Sequence, residues 1–138
     1  MTDAGPVPVP PPGIDDPEVL AEIAILLARY EAALMANDIA TLDASFWRSP
    51  QVRRFGAGEN LYGFEAIAAY RLARPGGAPP RTILRQSITS FGRDFATADI
   101  EFQPHGSSRI GRQTQSWVRL PDGWRIVSAH VSFMTAPG

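Results

Sequence analysis

The sequence predicts an α+β domain in which three helices precede a long antiparallel sheet. Apolar residues recur at helical spacing in the first half, four strand-like runs fill the second half, and turn residues separate those runs. At 138 residues the chain fits one domain, and its 44% hydrophobic and 20% charged residues suit a packed core rather than a disordered chain.

Residues 5–13, Gly-Pro-Val-Pro-Val-Pro-Pro-Pro-Gly, favour extended polyproline conformation, so a flexible leader is expected over 1–15 and a single domain over 16–138. Asp16-Pro17 is a helix start, a capping carboxylate followed by a residue with no N–H to satisfy. The stripe Val19, Leu20, Ile23, Leu26, Leu27, Tyr30 and Leu34 then predicts a long helix with one buried face. Asn37-Asp38 breaks the pattern, and Ile39, Leu42 and Phe46 mark a shorter helix capped by Asp38. Gln51 to Phe55 and residues 59–62 read as short strands around the Gly56-Ala57-Gly58 turn, ahead of a third helix from Phe64 to Leu72. Strands over 81–91, 95–104, 109–120 and 124–134 follow as a meander.

Composition removes much chemistry. All 13 basic residues are arginine, which excludes a Schiff-base lysine, and the absence of cysteine excludes thiol nucleophiles, disulfides and thiolate metal sites. With only His105 and His130 and no HExxH spacing, no catalytic metal is expected. A net charge of −1 without a polybasic run points to neither nucleic acid nor membrane. No apolar run is long enough to span a bilayer and no signal region opens the chain, so a cytoplasmic location is the expectation. No GxGxxG, GxSxG or paired-carboxylate spacing occurs.

Several positions carry chemistry by their residue type. Arg53 and Arg54 point to opposite faces of a short strand, and periodicity alone does not say which points inward. An inward arginine requires an anionic partner, either a protein carboxylate such as Glu59 or a substrate. Tyr30 is the one phenol on the apolar stripe of the first helix, either a core group or a proton donor at a cavity floor. Ser128, His130 and Ser132 share a polar strand face that suggests a cavity wall, while Gln113, Gln115 and Trp117 share a face on the preceding strand.

The segments Tyr30-Glu31-Ala32-Ala33-Leu34, Phe46-Trp47-Arg48, Arg54 to Gly63, Tyr70 to Pro75, Gly111 to Arg119 and Gly123 to Ser132 together resemble the AtzH and HpxZ family. The element order is likewise similar to the NTF2-like (cystatin-like) cone, in which a curled sheet wraps helices around a cavity. For the AtzH branch the resemblance implies cofactor-independent decarboxylation of 1,3-dicarboxyurea to allophanate in cyanuric acid catabolism, following an amidase. It implies catalytic roles for Tyr30 and Arg54. A dianionic substrate wants a second cation, for which Arg71 is the candidate, with Trp47 and His130 as pocket wall and polar contact. Two other readings stay open: an accessory protein beside an amidase in oxalurate breakdown, and an isomerase or dehydratase of the ketosteroid isomerase type, which needs a carboxylate base in an apolar cavity. A homodimer through the open sheet face is expected.

Overall fold

The first helix begins where the sequence supplies its cap. In the computed structural model, which describes residues 12–135, the Asp16 carboxylate accepts from the backbone N–H groups of Glu18 at 2.9 Å and Val19 at 3.4 Å. Helix α1 (Pro17–Ala36) therefore starts with its orphan donors engaged and buries Val19, Ile23, Leu27, Tyr30 and Ala33 along one face. Asn37 ends it in the left-handed conformation, and Asp38 caps α2 (Ile39–Ala44) by accepting from the Thr41 N–H at 3.2 Å. The chain is already attached to the sheet at Gly13, whose carbonyl accepts from Gly92 N–H, so the ordered contacts start three residues ahead of Asp16. The rest of the proline-rich leader, residues 1–11, lies outside the described residues.

Strands β1 (Arg53–Phe55) and β2 (Asn60–Tyr62) flank the glycine turn, and α3 (Phe64–Ala73) follows. The long strands are β3 (Arg81–Phe91), β4 (Phe95–Pro104), β5 (Gly111–Leu120) and β6 (Gly123–Phe133). All six strands form one sheet in the order β2-β1-β6-β5-β4-β3. The meander is the one the turns predict, but the short pair extends it, because β1 runs parallel beside β6 with Arg54 opposite Ala129. That placement has a local cause. Ile126 donates its N–H to the Ser45 carbonyl at 2.8 Å and accepts from the Trp47 N–H at 3.0 Å, so residues 45–47 run alongside β6 before β1 begins. For the same reason α2 stops at Ala44, and Phe46 is not on the helix, as its spacing suggests, but forms a buried bridge to Ile126.

The helices pack into the concave face of the sheet. Ile23, Leu27, Phe46 and Ile67 meet Trp117 and Ile126, and the small Ala96 and Ala98 let α1 approach β4 closely. One irregularity shapes this face. Trp117 pairs with Ile126 and Ser116 with Ser128, leaving Val127 as the extra residue of a bulge. Trp124 and Ile126 point inward before the bulge, and Ala129, Val131 and Phe133 point inward after it. Among the described residues no helix is long and apolar enough to cross a membrane.

Glu22 joins α1 to the sheet by accepting from Trp124 Nε1 at 2.7 Å and Arg119 Nη2 at 2.9 Å. The indole N–H and the nearby Arg119 hold its carboxyl below the ordinary value of 4.5, against the opposing effect of desolvation. The folded protein thus binds this proton more weakly than the unfolded chain, and the stability it supplies is present above pH 4.5 and drains away below it. Glu22→Gln is expected to lower the urea midpoint at neutral pH, with the gap from wild type narrowing as the pH falls below that value. A gap independent of pH contradicts the assignment.

Candidate functional site

The ambiguity between Arg53 and Arg54 is resolved by their neighbours. Arg54 stands opposite Leu61 on one side and Ala129 on the other and is partly buried, while Arg53 is exposed. The Gly56-Ala57-Gly58 turn then returns Glu59 to Arg54, whose Nη1 donates to Glu59 Oε1 at 3.1 Å. Glu59 Oε2 accepts from the Gly58 N–H at 3.2 Å, and a side chain at position 56 would collide with this carboxylate. One N–H of the Arg54 fork is used in this way, and no other is taken by an acceptor among the described residues.

Arg54 borders a cavity of about 280 Å³ between α1, α3 and the inner face of the sheet. Tyr30, Glu59, Tyr70, Arg74, Arg81 and Gln113 also line it, with Phe102 and Phe133 as apolar wall. Beneath it lies a narrow crevice of about 20 Å³ that reaches Arg71 and shares Tyr30, Arg54, Tyr70 and Arg74. The Tyr30 ring packs tilted against Phe46 at 6.3 Å between centroids and the residue is 5% exposed, yet its hydroxyl makes no hydrogen bond among the described residues. Its body serves the core while its polar tip is left for the cavity.

The arginines around the cavity differ in what holds them. Arg81 is committed twice over to Glu31, through Nε at 3.0 Å and Nη2 at 2.7 Å, and its Nη2 also donates to Gln113 Oε1 at 3.1 Å. Its guanidinium lies 4.2 Å from the Phe102 ring centre. Arg71 is buried, with Nε 3.5 Å from Asp43 Oδ1, and neither atom completes a hydrogen bond. Desolvation lowers its pKa, opposed by the proximity of Tyr30 and Asp43. Arg74, just past the end of α3, lines both spaces, and among the described residues no carboxylate lies within ion-pair distance of it.

Of the five residues singled out in the sequence, Tyr30 and Arg54 meet at the cavity and Arg71 lies in the crevice below. Trp47 and His130 line neither space. Trp47 borders a depression on the outer side with Arg53 and Tyr62. His130 is exposed with its ring edge-on to Phe55 at 5.9 Å, because the bulge at Val127 gives Ala129 and Val131 the inner face. Sequence reasoning missed Arg74 and Arg81. For Arg81 a signal existed, since it shares the inner face of β3 with Ile83, but its partner Glu31 is 50 residues away. Among the described residues no group of three or more His, Asp or Glu side chains could hold a metal ion.

Residues 12–137 match the family described as AtzH-like. The chain belongs to that family. This AtzH-like chain is similar to a structure of a protein of unknown function from Pectobacterium atrosepticum, with 50% identity, a TM-score of 0.88, and coverage of 91% of this chain and 98% of that one. A cystatin-like fold protein from Burkholderia xenovorans matches at 41% identity and a TM-score of 0.85, covering 90% and 98%. An NTF2-like superfamily protein from Salmonella enterica matches at 23% identity and 0.70, covering 88% and 94%. The fold is therefore the NTF2-like, cystatin-like cone. No curated protein matches the chain.

The crevice pair generates a stability test. Asp43→Ala leaves the buried Arg71 charge without its counter-ion and should cost on the order of 3 kcal/mol. Asp43→Ala combined with Arg71→Met should recover part of that loss in urea unfolding. A double variant as weak as the sum of its two single variants contradicts the pairing.

Proposed function

We propose that the cavity binds a small dianionic N-carboxylated urea and promotes loss of carbon dioxide from it, converting 1,3-dicarboxyurea to allophanate in cyanuric acid catabolism. The observation that supports this most is the charge balance. Four guanidinium groups, Arg54, Arg71, Arg74 and Arg81, face three carboxylates, Glu59, Asp43 and Glu31. Arg74 is left over, and Arg54 retains open donors. A volume near 280 Å³ suits a ligand at the small end of the usual range.

The chemistry needs few groups. The N–C bond to one carboxylate breaks, its electron pair passes to nitrogen, a proton joins that nitrogen, and neutral carbon dioxide leaves. Arg54 holds one carboxylate with its planar fork and Arg74 holds the other. The Tyr30 hydroxyl donates the proton, and the nearby Arg71 charge favours the transient phenolate until solvent returns a proton. Arg71 thus assists from beneath rather than as the second substrate cation. The resemblance to the AtzH branch adds a place after an amidase that supplies the substrate.

An isomerase of the ketosteroid type finds less support. Glu59 is the one carboxylate among the described residues lining the cavity, and it is paired with Arg54 rather than held in an apolar wall as a base.

The test is allophanate formation from 1,3-dicarboxyurea generated in situ by an amidase. Tyr30→Phe and Arg54→Lys should each lose at least about tenfold of the acceleration over the uncatalysed rate. Equal rates for wild type, both variants and a control without protein would favour an accessory, ligand-binding role instead.

A further inference from the structure

Gln113 is 5% exposed and sits on the inner face of β5, where it lines the cavity. Its amide has two ends, one that only accepts and one that only donates. Arg81, which has no acceptor, donates to it at 3.1 Å, so Oε1 faces Arg81 and Nε2 is turned the other way. Arg81 itself does not wander, because both of its outer contacts to Glu31 hold the guanidinium in place. The chain Glu31, Arg81, Gln113 therefore fixes which end of the amide is presented. No acceptor among the described residues takes the Nε2 protons, so this end of the amide is left for water or a ligand in the cavity.

The open donors of the cavity are thus of two kinds. Arg54 and Arg74 are cationic and match carboxylates; Gln113 Nε2 is neutral and matches a neutral carbonyl oxygen. Across the sheet, Gln113 stands opposite Val131 on β6, one inward position along from Ala129, the partner of Arg54. It is two strands from Arg54, about 10 Å across the sheet, and both side chains reach toward the same space.

We propose that Gln113 is a specificity-determining residue whose Nε2 donates to a neutral carbonyl lying between the two carboxylates of the substrate. This rests on the reading of the cavity as a dianion site and names the central group that the dianion carries. A dicarboxylate of the same length without that carbonyl leaves the amide donor unmatched and binds more weakly.

Two dianions of equal length separate the ideas by titration calorimetry on the whole protein. Freshly dissolved 3-oxoglutarate carries a ketone between its two carboxylates, and glutarate has a methylene there. Wild type should bind 3-oxoglutarate about tenfold more tightly than glutarate. Gln113→Met and Gln113→Leu, which keep the bulk but remove the donor, should erase this preference while leaving glutarate affinity within about twofold and the melting curve cooperative. Wild type without a preference overturns the proposal, as does a preference that survives in either folded variant or an equal loss of both ligands. If neither dianion binds wild type, the dianion reading itself fails, and with it the proposal.

Discussion

Ile126 holds the site together through its two backbone hydrogen bonds to residues 45–47. Those bonds stop α2 at Ala44, lay Phe46 beneath Tyr30 and Arg71, and deliver β1 in parallel beside β6. Once β1 lies there, pleat alternation sends Arg54 inward and Arg53 outward. Arg54, Tyr30 and Arg71 come from different elements and owe their proximity to that junction. Loss of strand pairing at Ile126 would therefore disturb the site before it disturbed the meander.

Electrostatics divides the arginines by their partners. Arg81 and Arg71 are tied to Glu31 and Asp43 and act as architecture or background charge, whereas Arg54 is half-engaged and Arg74 is unengaged among the described residues. A guanidinium that lines a cavity without a carboxylate is a standing invitation to an anion, since water alone offsets its charge. The pairing with Glu59 also limits where Arg54 can point, so one interaction both moderates its charge and orients its remaining donors.

The elements with local signals were legible in the sequence. Asp16 and Asp38 are caps as their positions suggest, the buried stripe from Val19 to Tyr30 follows helical spacing, and the turns at 92–94 and 121–123 set the meander. Tyr30 and Arg54 stood out by residue type, position and family resemblance, and both line the cavity. What sequence did not give depends on distant partners. The inward choice of Arg54 required Leu61 and Ala129, and the pairing of Arg81 required Glu31. The alternation of His130 against Ala129, Val131 and Phe133 was legible, but that apolar face rather than the polar one lines the cavity, and the bulge at Val127 brings it into phase with Trp124 and Ile126.

Kinetics of Arg74→Gln test most directly whether Arg74, unpaired among the described residues, recognises the second carboxylate. Among the described residues Arg74 pairs with no carboxylate, so the fold should survive and the melting temperature should barely move. In that variant kcat/KM for 1,3-dicarboxyurea should fall by about tenfold or more, carried mainly by KM. An unchanged kcat/KM in a well-folded Arg74→Gln protein would contradict that role.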